Sequence, residues 1–189
     1  YDGYLGNKYN KEYTEFTVFS PVAKEMYVVI DGIKYPMDYE MPVWKTKVYG
    51  DLEGKSYYYL VRLVDVFDKV CDPYAIAGNL NESIIIDLDK TYKQKTSFIE
   101  YENILDNVIY EAHIRDLTVF LDIEEAKTTF LGLTKYSNFL GKSVLEYIKD
   151  LGITHLQLLP VQDFIGVNPL NKEKDYNWGY NPQSYFTLQ

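Results

Sequence analysis

Ser143-Val144-Leu145-Glu146-Tyr147-Ile148-Lys149-Asp150-Leu151-Gly152-Ile153-Thr154-His155-Leu156-Gln157-Leu158-Leu159-Pro160 changes its hydrophobic period halfway along, and the change sets the architecture of the second half of the chain. Val144, Tyr147, Ile148 and Leu151 fall at i, i+3, i+4 and i+7, the apolar stripe of a helix. Ser143 with Glu146 forms a capping box at its start, and Gly152 is placed to close it as a left-handed cap. Residues 154–160 are then apolar at successive positions, as in a strand buried on both faces, and 107–115 read the same way. Strand, long polar connection, helix and strand over 107–160 predict a right-handed parallel crossover, the start of an α/β domain. Two parallel strands bury neither face. The unit is therefore expected to be part of a larger barrel or doubly wound sheet, which the chain, ending at Gln189, leaves incomplete.

Upstream the pattern is different. Residues 14–20, 24–30, 34–36, 42–48, 56–64 and 83–87 are short runs rich in Val, Ile, Tyr and Phe, and they read as strands. Asp31-Gly32 has the composition of a two-residue hairpin turn, and a second reversal falls at 51–54. Turns recurring without intervening helices predict an antiparallel sandwich of immunoglobulin-like size.

Composition narrows the function classes. A net charge of −9, with no basic run, disfavours nucleic acid as a partner. No stretch is long and apolar enough for a membrane helix. The single cysteine, Cys71, excludes an internal disulfide framework and reads as a packing residue. Because the chain begins with Tyr, any leader is expected to lie outside it, and the compartment stays open between cytoplasmic and secreted. The 20 tyrosines suit both strand cores and sugar rings. His113 and His155 read as hydrogen-bonded core histidines and Arg115 with Asp116 as a structural pair. Two isolated histidines do not make a metal site, and no metal or cofactor is expected.

Tyr176-Asn177-Trp178-Gly179-Tyr180-Asn181-Pro182 closely resembles the signature of the type I pullulanases, starch-debranching members of glycoside hydrolase family 13, with Asn181 standing where the family has Asp. Asp72-Pro73-Tyr74-Ala75, Ile109-Tyr110-Glu111-Ala112-His113-Ile114-Arg115-Asp116, Leu131-Gly132-Leu133-Thr134, Gly152-Ile153-Thr154-His155 and Leu158-Leu159-Pro160-Val161 fit the same family in order. The resemblance implies that 1–102 is a β-sandwich similar to a carbohydrate-binding module of family 48. It implies that 103–189 is the beginning of a (β/α)8 TIM barrel, whose remainder would be a partner of these residues. Branched α-glucan is the implied partner and hydrolysis of α-1,6-glucosidic bonds the implied activity.

In the family the nucleophile Asp and the acid/base Glu lie on later barrel strands, so no catalytic residue is assigned and the chain alone is expected to be inactive. Substrate-binding residues are expected at Tyr180, Trp178 and Tyr176. The tyrosine matching Tyr180 stacks on the glucose next to the cleaved bond in the family, and Gly179 permits the close turn between rings. Trp44 is either a glucan platform or a core residue of the sandwich. Two other readings are a non-catalytic glucan-binding module and a relative of branching enzymes or isoamylases.

Overall fold

A computed structural model describes residues 1–78, 81–91, 103–168, 171 and 174–188. The chain divides into two compact units, one formed by Tyr1–Gln94 with Pro182–Gln189 and the other by Lys95–Asn181.

Unit 1 contains β1 (Gly6–Tyr9), β2 (Tyr13–Phe19), β3 (Glu25–Ile30), β4 (Ile33–Pro36), β5 (Asp38–Glu40), β6 (Val43–Tyr49), β7 (Ser56–Arg62), β8 (Phe67–Val70) and β9 (Ser83–Ile84). Antiparallel pairing gives one sheet in the order β1-β2-β6-β5 and a second in the order β4-β3-β7-β8, with β9 also on β7. The period of two in β2 points Thr14, Phe16 and Val18 inward. Phe16 and Val18 meet Met26, Val28 and Ile30 of β3 and Tyr57 and Tyr59 of β7 in one apolar core. Phe16 and Tyr57 touch edge to face, ring centroids 5.1 Å apart, across the two sheets. Asp31 and Gly32 both have positive φ, 48° and 81°, and join β3 to β4 in the two-residue turn their composition predicts.

A carboxylate sits inside this core. Asp72 is 2% exposed, and its Oδ2 accepts hydrogen bonds from the Tyr57 hydroxyl at 2.7 Å and the Tyr59 hydroxyl at 3.2 Å. Its Oδ1 accepts the Tyr74 N–H at 2.9 Å. Burial raises its pKa, and these donors partly offset the rise.

Unit 2 contains β10 (Ile109–Ala112), α1 (Ile114–Thr118), β11 (Tyr136–Ser137), β12 (Lys142–Ser143), α2 (Val144–Asp150), β13 (His155–Leu158) and β14 (Gln162–Phe164). β10 and β13 pair in parallel from Ile109↔His155 to Ala112↔Leu158. The capping box is present: Ser143 Oγ accepts the Glu146 N–H and Glu146 Oε2 accepts the Ser143 N–H. Gly152, at φ 79°, ends α2.

Three expectations for this unit need correction. The strand at 107–115 stops at Ala112, because His113 Nδ1 accepts the Arg115 N–H at 3.0 Å and caps a short helix, which removes Ile114 and Arg115 from the sheet. The two strands by themselves leave a face bare, as expected of a parallel pair, but one residue placed in the core is out of it. Ile109 is 64% exposed and His155 is exposed as well, so His155 is no core histidine. Among the described residues no third strand flanks the pair and one face only is covered, by the cluster of Ile114, Leu121, Ile123, Leu133, Val144 and Ile148. The helical stripe is likewise half used: Val144 and Ile148 are buried, while Tyr147 and Leu151 are exposed.

The polar connection between α1 and α2 is ordered by one side chain. Asp122 accepts from Ser137 Oγ at 2.5 Å, Asn138 Nδ2 at 2.8 Å and Asn138 N–H at 3.0 Å. The Ser137 hydroxyl first, and then Asn138, hold its carboxyl well below the usual carboxylate range. The final described strand, β15 (Pro182–Leu188), belongs to unit 1.

Candidate functional site

The aromatic stretch 176–181 lies in unit 2 and is shaped by contacts that leave its rings outward. Gly179 has φ 86°, and a Cβ there would stand 2.7 Å from the Pro160 carbonyl oxygen, so only glycine lets the loop lie this close to the end of the β13 segment. Asn177 does most of the fastening. Its Oδ1 accepts the Gly179 N–H at 2.8 Å and its Nδ2 donates to the Ile165 carbonyl at 2.9 Å. Asn181 Nδ2 donates to the same carbonyl at 3.0 Å. A carboxylate at 181 could not make that bond, since it has no proton to give. The departure from Asp therefore has a local structural consequence.

His113 ties the loop to the end of β10. With Nδ1 accepting from Arg115, the ring proton is on Nε2, which donates to the Asn177 carbonyl at 3.0 Å. Tyr176 lies beside it, ring centroids 5.3 Å apart, with the Arg115 guanidinium 5.1 Å from the tyrosine ring. The Tyr176 hydroxyl donates to Asp116 Oδ2 at 2.9 Å. Partial burial first, and then the Asp116 carboxylate, push that phenol above its ordinary pKa. Arg115 Nη1 and Asp116 Oδ1 are 3.7 Å apart, a loose pair whose main partner is the tyrosine between them.

Tyr176, Trp178 and Tyr180 line one open hollow of about 510 Å³ with Asn177 and Asn181. Tyr176 is 45%, Trp178 61% and Tyr180 64% exposed, so the rings are available to a ligand rather than consumed by packing. Trp44 is not among them. It is 7% exposed in the core of the sandwich, its indole N–H donates to the Ser20 carbonyl at 3.0 Å, and Tyr39 covers it at 5.1 Å. The second of its two readings, a core residue, is the one the structure contains.

The reading of the sequence missed the parts played by His113 and Asp116, whose partners Asn177 and Tyr176 are 64 and 60 positions from them, and the fastening of Gly179 and Ile165 by the Asn177 side chain. It also missed Asp163 in β14. The buried Oδ2 of Asp163 has no hydrogen-bond partner among the described residues, and burial raises its pKa. The cue available was that 109–116 and 176–182 both belong to the stretches that resemble one family. The chemistry on offer is that of a neutral polyhydroxylated ligand: apolar ring faces for C–H groups, amide and hydroxyl groups at the rim.

The arrangement of a β-sandwich unit and a parallel strand–helix–strand unit is shared with solved pullulanase structures. Over its whole length the chain is homologous to pullulanases. It is 33% identical to the pullulanase of Bacillus subtilis over 98% of its own length and 27% of that protein. With pullulanase A of Streptococcus pneumoniae it shares 34% identity over all of this chain and 18% of that one. The crystal structure of the pullulanase from Anoxybacillus sp. LM18-11 complexed with maltotetraose superposes on all of this chain and 30% of that protein, at TM-score 0.91 and 35% identity. The chain thus spans about a quarter or less of the curated relatives' length. No family model matches the sequence.

Proposed function

We propose that the chain is part of a debranching glycoside hydrolase that cleaves α-1,6-glucosidic bonds in pullulan, glycogen or amylopectin, and that its own contribution is to seat a glucose ring on Tyr180. The observation that carries this is the 64% exposed Tyr180 ring in a hollow with Trp178 and Tyr176, on backbone fixed by Asn177 and Gly179. A Tyr ring gives a flat apolar face at low entropic cost. Residues 103–189 are read as the start of the catalytic barrel and 1–102 as a module resembling family 48. With Trp44 in its core, this module has no aromatic platform at that position.

Retaining glycoside hydrolysis needs two carboxyl groups roughly 5–5.5 Å apart, one as nucleophile and one as proton donor. No residue here is assigned either role. Orientation is a separate term. A ring held in near-attack geometry contributes to turnover without touching the proton or the leaving group. In an enzyme carrying this segment, Tyr180→Ala is expected to lower kcat/KM on pullulan by ~10²-fold with the melting temperature unchanged. Kinetics equal to the parent's would remove Tyr180 from the site.

A further inference from the structure

Asp116 touches the aromatic stretch through Tyr176, and the stacking role of Tyr180 makes no use of it. Both ends of this contact lie in unit 2. Asp116 is the third residue of α1, whose start is set by His113. The same imidazole caps α1 through Nδ1 and holds the Asn177 carbonyl through Nε2, so one ring fixes the backbone beside Asp116 and the backbone beside Tyr176. The Tyr176 hydroxyl, 2.9 Å from Oδ2, then sets the direction of the carboxylate.

That carboxylate is far from satisfied. A carboxylate accepts about four hydrogen bonds. Among the described residues Asp116 accepts one, from Tyr176, and its Oδ1 is 3.7 Å from Arg115 Nη1, too far for a hydrogen bond. Its side chain is 53% exposed, which leaves acceptor sites on both oxygens open to solvent. The amides that line the hollow are occupied differently. Asn177 uses both ends of its side chain on Gly179 and Ile165, and the Asn181 amide nitrogen is bonded to Ile165, so these groups shape the loop. A sugar laid on the exposed rings carries its hydroxyls around its edge, and each one that leaves water needs a new partner. Hydrogen bonds to a carboxylate are charge-assisted and stronger than those to an amide.

We propose that Asp116 is a substrate-binding residue: its carboxylate accepts hydrogen bonds from two adjacent hydroxyls of a glucose residue in the glucan that stacks on Tyr180. Tyr176 aims that carboxylate. The Tyr176 ring already has His113 at 5.3 Å and the Arg115 guanidinium at 5.1 Å, and its contribution to the site is the hydroxyl that orients Asp116. Asp116 makes and breaks no covalent bond; it binds and orients the sugar. The site thereby favours a ligand with free hydroxyls over an apolar ring of the same shape, which would leave the carboxylate unpaired. The inference rests on the reading of Tyr180 as a sugar-stacking residue.

The test titrates the 189-residue chain with maltotetraose, followed by tryptophan fluorescence, to which Trp178 in the hollow contributes. Far-UV circular dichroism confirms that each variant is folded. Asp116→Asn keeps the shape but replaces one acceptor oxygen by a donor, and it is expected to weaken binding about tenfold. Tyr176→Phe removes only the aiming hydroxyl and is expected to weaken it about threefold. The deciding comparison is Asp116→Asn introduced into the Tyr176→Phe background. A carboxylate that touches sugar still loses affinity there, whereas one that merely holds Tyr176 loses none, and the second result would overturn the proposal. Should Asp116→Asn not fold, the side-chain carboxyl carbon of Asp116 in the parent is expected to shift in the NMR spectrum on addition of maltotetraose, and an unmoved resonance would remove Asp116 from the site. Binding lost in Tyr180→Ala but unchanged in a folded Asp116→Asn variant leaves the stacking reading intact and refutes the role of Asp116. Binding unaffected by Tyr180→Ala refutes the stacking reading, and this proposal with it.

Discussion

Gly179 shows how narrowly one residue limits the site. Its φ of 86° is unfavourable for any side chain, and the Pro160 oxygen occupies the place a Cβ would take. Gly179→Ala should destabilise the loop by at least roughly 1–2 kcal/mol from the backbone conformation alone. The loss should appear as faster hydrogen exchange of the Gly179 amide, which the Asn177 side chain otherwise protects. Exchange at the parent rate would mean that the loop does not need this conformation. The glycine was legible in the sequence as a close-turn residue between two rings, and the structure leaves its neighbours Tyr176, Trp178 and Tyr180 exposed. The support of these three was not legible. His113 reads as a strand histidine until the strand ends at Ala112 and the ring caps the next helix.

Among the elements, those with a complete local signal are the ones the sequence specified. The capping box of α2 needs only Ser143, Glu146 and the backbone between them, and it is present. Ser143→Ala should cost about 0.5–2 kcal/mol, measured as a lower urea midpoint, with Ser143→Asp recovering most of it. An unchanged midpoint would show that packing of Val144 and Ile148 alone holds the helix. β2, β3, β6 and β7 were likewise legible, because each has an inner face to bury. β1, β5 and β8 were not. Each stands at the edge of its sheet, and the composition of Asp38–Glu40 and Phe67–Val70 is too polar to announce a strand. Such segments become strands because a neighbour offers an unpaired row of backbone groups.

For the molecule as a whole, the buried Asp72 network makes stability depend on pH. Burial raises the Asp72 carboxyl above its ordinary pKa, so the folded protein holds that proton more tightly than the unfolded chain. Between the ordinary and the raised value, folding stability from this group declines as pH rises, and above the raised value its contribution is constant. Asp72→Asn removes the titration. The difference in urea midpoint, parent minus variant, should therefore fall as pH is increased from about 4 to about 7. A difference independent of pH would show that folding does not raise the Asp72 pKa.

Taken alone, the sequence determined the two architectures, the turn at Asp31-Gly32, the capped helix and the aromatic loop, because each is encoded by residues close together in the chain. Only the tertiary structure decided that Trp44 is packed away, that His113, Asp116 and Asn177 secure the loop, and that Asp72 is rooted among buried tyrosines. Those are consequences of burial and of hydrogen bonds between residues far apart in sequence, and such pairings have no period or spacing to read.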